Sequence, residues 1–161
     1  MGNTVSKREL YRVVMTAIIY DDSKRYLVTR RSPSQKVFPN LWTVPGGGLE
    51  PRDYEGKPKT TEDAWYEVVE RALKREVREE VGIEIGKPAY LTDLIFVRPD
   101  GIHVLVLSYY ARYESGEVTL DSSELVEHRW VTLEEAHELD FISGIYEEVE
   151  RVDAIIGAQG T

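Results

Sequence analysis

Apolar residues along the chain change rhythm several times, and each change predicts an element. Residues 11–20, "YRVVMTAIIY", are nearly all apolar and rich in β-branched side chains, and after the turn "DDSK" the stretch "RYLVTRR" (25–31) follows. The pattern predicts a hairpin whose first strand is buried. Residues 32–48 are punctuated by proline and glycine and read as a loop with a short extended piece around Trp42, delivering Gly46, Gly47 and Gly48 to the surface. Residues 51–59 are polar and read as an exposed loop. Thr60 or Thr61 then has the character of a helix N-cap, because a four-residue spacing follows: Val69, Leu73, Val77 and Val81, with Ala72 alongside. Gly82 is placed to end that helix.

Strand character returns at 89–97 and 102–113, joined by the turn "RPDG", and predicts a second hairpin with long strands. Short strands are expected at "EVTL" (117–120) and "HRWV" (128–131). Thr132 and Glu135 have capping-box spacing, so a short helix should run through "LEEAHEL". Ile142, Ile145, Tyr146, Val149, Val152 and Ile156 then mark one face of a last helix ending near Gly157. Strands grouped around two or three helices in mixed order point to a layered α/β (α+β) fold. With no repeat, low-complexity tract or long linker, one domain is expected over residues 1–161.

Composition narrows the function classes. A 161-residue chain with 42% apolar residues is long enough for one real core. Its net charge of −9 disfavours nucleic-acid backbones and anionic membranes, whereas a small polyphosphate stays admissible if a cation bridges the charges. The absence of cysteine removes disulfides, zinc–thiolate sites and thiol catalysis. No apolar run has the length of a membrane span or a signal-peptide core, so a soluble protein is expected, with the cytoplasm as the default compartment. "MGNTVSK" fits the Gly2/Ser6 pattern for N-myristoylation, beside the plainer reading of a chance match. A second copy of the chain is an admissible partner.

The segment "REVREEVG" (75–82) concentrates charge where a helix tolerates it poorly. Glu76, Glu79 and Glu80 share one side of the predicted helix, and the like-charged Glu76–Glu80 pair costs roughly 0.2–0.5 kcal/mol in an isolated helix. Glu79 and Glu80 also lie in the last turn, where the macrodipole favours cations. Opposite-sign pairs (Arg75–Glu79, Glu67–Arg71, Glu70–Lys74) support a solvated, salt-bridged face. Glu76 and Glu80, however, have no basic residue at i+4 and border the apolar stripe. A hard divalent cation such as Mg²⁺ would relieve both penalties. The residues alone leave both readings open.

A resemblance bears on the choice. "PGGGLE" (45–50) and "EVVERALKREVREEVGI" (67–83) are similar to the signature of the Nudix hydrolase superfamily: glycine, five residues, glutamate, seven residues, then R-E-apolar-x-E-E-x-G-apolar. The second half is complete, from Glu67 through seven residues to Arg75 and on to Ile83. "TRRSP", "LWTVPGGG" and "HRWVTLEEA" extend the likeness over roughly residues 11–140. The first half departs from it: nineteen residues separate Gly47 from Glu67, which implies a loop insertion of about fourteen residues after Glu50, at about 51–65. Gly56 and Glu62 have the five-residue spacing, but Glu62 stands too far from Arg75.

The resemblance implies a Nudix fold, a mixed β-sheet sandwiched between α-helices, and a metal-dependent pyrophosphohydrolase in which water attacks a diphosphate linkage. It implies that Glu76, Glu79, Glu80 and the Gly46 carbonyl hold Mg²⁺ or Mn²⁺, that Arg75 orients the glutamates, and that Glu67 is a further metal-site candidate. Glu124 or Glu127 is the candidate loop acid for the general base, with Glu124 at the family-like distance from Trp130. Arg31 corresponds to a phosphate-contacting arginine, Gly47 belongs to the substrate loop, and Trp42 is either a base-stacking surface or core. His103, His128 and His137 lack metal-ligand spacing and receive no role. "TRR" with "LWTVPGGG" is similar to the MutT branch, which hydrolyses nucleoside triphosphates, including oxidised ones. Pro99 stands near a marker position of ADP-ribose hydrolases, so ADP-ribose or another nucleotide sugar is the alternative. A nucleotide-sensing module without hydrolysis is the alternative of another class.

Overall fold

The computed structural model describes residues 5–159, so the Gly2 pattern lies outside the described residues. Its strands are β1 (Tyr11–Tyr20), β2 (Tyr26–Arg31), β3 (Trp42–Thr43), β4 (Gly46–Gly48), β5 (Glu84–Ile85), β6 (Ala89–Val97), β7 (His103–Ser115) and β8 (Leu125–Val131). The helices are α1 (Val68–Val81), α2 (Leu133–Ala136) and α3 (Ile145–Gln159). β1 is central: it pairs antiparallel with β2 and β4, and parallel with β7 from Tyr11↔His103 to Tyr20↔Arg112. β8 pairs with β2, and β6 pairs with β7. A strand covered on both faces needs no polar alternation, which is why β1 reads as one apolar run.

The two faces of the sheet carry separate cores. Met15, Ala17 and Ile19 meet Leu73, Val77 and Val81 of α1 on one side. Ile18, Tyr26 and Val28 meet Val149 and Val152 of α3 on the other. The predicted four-residue stripe is therefore the inward face of α1: Leu73, Val77 and Val81 are fully buried, each contributing roughly 1.5–3 kcal/mol, and Val69 packs partly buried beside them. The result is the expected mixed sheet between helices.

Four boundaries differ from the sequence reading. α1 does not begin near Thr60 or Thr61, because Glu67 adopts φ +57°, a left-handed conformation that blocks extension backwards. The Thr60 and Thr61 hydroxyls instead accept from the N–H groups of Tyr66 and Ala64, each at 3.1 Å, and close a loop turn. "EVTL" is not a strand: Thr119 and Asp121 donate their N–H groups to the carbonyls of Val81 and Glu80 at 3.0 and 2.9 Å, completing the end of α1. Gly144 at φ +94° separates Ile142 from α3, and that helix runs past Gly157 to Gln159. The capping box at Thr132 and Glu135 forms as expected.

Candidate functional site

The site is built where the glycine rung β4 crosses the last two turns of α1. Gly46 donates its N–H to Glu80 Oε2 at 2.7 Å, and a side chain at Gly47 would collide with the Glu76 carboxylate. Only glycine lets strand and helix approach so closely. α1 then stops at Gly82, which takes φ +72° as the helix cap.

Arg75 organises the carboxylates. Its Nη1 donates to Glu76 Oε1 at 2.8 Å and to Glu79 Oε2 at 2.9 Å, while its Nη2 donates to Asp53 Oδ2 at 2.9 Å and to the Gly48 carbonyl at 3.1 Å. One planar fork thus ties α1 to the glycine rung and to the 3₁₀ turn Pro51–Asp53. Burial alone would raise the Asp53 carboxyl, but Arg75 and the Glu50 N–H together hold it below its ordinary value. The hydrogen bond to Asp53 is the chief reason that the Arg75 guanidinium is held more firmly protonated than usual.

Burial acts in the opposite direction on the neighbouring acids. Glu80 is 8% exposed, and desolvation pushes its carboxyl up to about 8 against the bond from Gly46. Glu76, half-buried, is raised by the same cause, partly offset by Arg75. Glu79 is exposed and held by Arg75 and by Arg52, whose Nη1 lies 3.0 Å from Glu79 Oε1. Among the described residues no three His, Asp or Glu side chains are gathered closely enough to hold a metal ion. The donor set is nevertheless of the right kind, all hard carboxylate oxygens, with Glu80 next to Glu76 and without a cation in hydrogen-bond contact.

A cleft of about 480 Å³ opens beside these groups, lined by Gly46, Gly47 and Glu80 and by Ile145 and Glu148 of α3. Arg31 and Glu124 both line it. The Arg31 guanidinium donates to the Val37 carbonyl at 2.9 Å and to Gln35 at 3.0 Å, and burial lowers it against the pull of Glu124 and Glu80. Glu127, the other loop acid considered, instead pairs with Arg30 and Arg129.

Three sequence expectations need correction. Glu67 stands at the N-cap of α1, nine residues before Glu76, so it lies about 13 Å back along the axis on the opposite face and does not join the carboxylates. Trp42 is 6% exposed in the core under α3, with the Arg129 guanidinium 5.1 Å from its ring centroid, so it offers no stacking surface to the cleft. The surplus residues do not begin at 51, because Pro51–Asp53 belongs to the site. Asp53 follows Gly47 after five residues, where the family pattern has glutamate, and twenty-one residues then lead to Arg75 in place of seven. That spacing was present in the sequence, concealed by aspartate standing where glutamate was sought. The surplus is the segment 54–67, which packs on itself through Tyr54 against Trp65 (5.3 Å between centroids) and Lys59 over Trp65 (5.2 Å). None of its residues lines the cleft.

Sequence reasoning also missed Arg12, Phe38 and Phe96. Arg12 lines the cleft, and its Nη1 donates to the Leu49 carbonyl at 3.0 Å. Phe38 and Phe96, 5.5 Å apart between centroids, form its aromatic wall. They come from a loop and from an edge strand, and no local pattern relates them.

Comparison with known proteins agrees with this geometry. The family model described as NUDIX domain matches residues 10–151. Nucleoside triphosphatase NudI of Enterobacter sp. (strain 638) is 31% identical over 139 residues, covering 80% of this chain and 87% of that protein. NAD-capped RNA hydrolase NudC of Stutzerimonas stutzeri (strain A1501) is 32% identical over 104 residues, but this chain spans only 31% of its length. The crystal structure of MutT NUDIX hydrolase from Burkholderia pseudomallei superposes with a TM-score of 0.68 at 25% identity, covering 88% of this chain and 98% of that one. No helix among the described residues is long and apolar enough to cross a membrane. On its signature residues, its sheet and the family match over most of its length, the chain belongs to the NUDIX domain family.

Proposed function

We propose that the protein is a divalent-metal-dependent pyrophosphohydrolase that cleaves a nucleoside triphosphate to the monophosphate and pyrophosphate. The observation that carries this reading is Glu80, a buried carboxylate fastened to Gly46, placed beside Glu76 and facing an open cleft. A folded chain keeps an uncompensated buried acid at a cost to stability, and a cation that the acid binds during function accounts for it. Glu76, Glu79, Glu80 and the Gly46 carbonyl would hold Mg²⁺ or Mn²⁺. When bound, the metal supplies charge neutralisation at the phosphoryl oxygens and a more acidic water.

The chain's own residues supply the remainder. Arg75, anchored by Asp53, orients Glu76 and Glu79. Arg31 and Arg12 present guanidinium groups to phosphate oxygens in the cleft. Glu124 would take a proton from water, a role supported by its sharing the cleft with Glu80 and Arg31. A nucleoside triphosphate is favoured because NudI, similar over most of both chains, is a nucleoside triphosphatase. Pro99 lends no support to a nucleotide sugar: it stands in the turn between β6 and β7, closed by Arg98 N–H to the Ile102 carbonyl at 2.9 Å, where proline needs no ligand. Retention of Arg75, Glu76, Glu79 and Glu80 favours hydrolysis over sensing alone.

The test is incubation with Mg²⁺ and a panel of canonical and oxidised nucleoside triphosphates, ADP-ribose, other nucleotide sugars and dinucleoside polyphosphates, with products separated by chromatography. Monophosphate and pyrophosphate from triphosphates is the expected result. Cleavage of ADP-ribose alone would overturn the substrate assignment, and no cleavage of any compound would overturn the reaction.

A further inference from the structure

The cleft lined by Glu80 is also lined by a second buried acid, on α3. Glu148 is 7% exposed and lines the cleft from the first turn of α3. No ion pair engages it among the described residues, and Arg151, the neighbouring cation, donates to the Leu91 carbonyl at 3.5 Å. Burial raises its carboxyl above the ordinary range, while its place near the N-terminus of α3 favours the anion. Beneath it on β7 the Ser108 hydroxyl is fully buried and has no hydrogen-bond partner by geometry, although it lies near enough to Glu148 to counter part of the effect of burial. Phe38, Phe96, Val14 and Val106 give the cleft aromatic and apolar lining, and Glu148 is its buried acid on α3. Such a lining suits an aromatic ring that carries hydrogen-bonding groups on one edge.

We propose that Glu148 is the specificity-determining residue of the cleft, its carboxylate accepting from the two adjacent N–H donors of a guanine-type base. The inference rests on the reading of the cleft as a nucleotide site. An ionised carboxylate only accepts, and its two oxygens match two parallel donors. Guanine offers a ring N–H beside an amino group, whereas adenine places a ring acceptor beside its amino group and sets a lone pair against the anion. The phosphates then extend toward Arg12, Arg31 and the carboxylates of α1, so one cleft has a base end and a reaction end.

The test separates binding from turnover. Equilibrium titration of the protein with GDP, IDP and ADP in Mg²⁺ should give GDP the tightest binding, by about tenfold or more over IDP, which lacks one donor, and over ADP. Glu148→Gln, which offers a donor beside an acceptor, should shrink the GDP preference to within about threefold and improve ADP relative to GDP. The ratio among bases within one variant is unaffected by a general loss of folded protein. Equal affinities in the unaltered protein, no binding of any of the three, or an unchanged GDP preference in Glu148→Gln would each overturn the proposal. Hydrolysis of GTP and ATP at equal rates would overturn base selection and leave the proposed reaction intact, whereas selective binding without hydrolysis would do the reverse.

Discussion

Replacing Glu80 with glutamine should stabilise the protein and abolish its activity. The Glu80 carboxyl is pushed from 4.5 in the unfolded chain to about 8 by burial. Because the folded state binds the proton more tightly, this group costs nothing well below pH 4.5, and stability falls as pH rises from there to about 8. The loss approaches an upper bound on the order of 4 kcal/mol at pH 8, since each tenfold gain in proton affinity on folding corresponds to about 1.4 kcal/mol. Glutamine keeps an oxygen to accept from Gly46 and carries no charge. At about 2–4 °C per kcal/mol for a chain of this length, thermal melts in metal-free buffer should place Glu80→Gln several degrees above the unaltered protein at pH 8. Near pH 4.5 the two melts should nearly coincide. A variant less stable than the parent at pH 8, or a gain of the same size at both pH values, would refute the assignment of a strained buried acid. Saturating Mg²⁺ should then raise the melting point of the parent more than that of the variant, if the proposed ion site uses this group.

Asp53→Ala should cost about 1.5–3 kcal/mol in chemical denaturation, because Arg75 loses its most buried partner while keeping Glu76 and Glu79. Asp53→Glu should recover most of that loss if the ion pair is the cause, and failure to recover would point to turn geometry instead. Phe38→Ala should raise KM for the nucleotide with little change in kcat, through loss of the aromatic wall. Trp42→Ala should lower stability by about 3–5 kcal/mol while leaving KM of the folded fraction unchanged, and the opposite allocation would return Trp42 to the binding surface.

The parts of the fold that were legible in the sequence are those governed by local periodicity. The buried run of β1, the four-residue stripe of α1 and the capping box at Thr132 each carry their structural reason within a few residues. "EVTL" misled because its β-branched character is real, yet the Thr119 N–H serves the end of α1. Thr60 and Thr61 have the chemistry of N-caps and use it on a turn. At the site, Glu76, Glu79, Glu80 and Arg75 were found through helical spacing and a family signature. Asp53 was hidden by one substituted residue and a long loop after it. Arg12, Phe38, Phe96 and Glu148 come from four different elements and meet only in three dimensions, which no window along the chain displays.

The proposed chemistry has the carboxylates of α1 acting through a divalent cation on a nucleotide anhydride. Its most direct test is the rate of pyrophosphate release from a nucleoside triphosphate as Mg²⁺ is titrated into chelator-treated protein, for the parent, Glu76→Gln and Glu67→Gln. Release should be absent without the cation, activation should be saturable in the parent and in Glu67→Gln, and Glu76→Gln should lose activity ~100-fold. Release that is independent of Mg²⁺, or undiminished in Glu76→Gln, would contradict it.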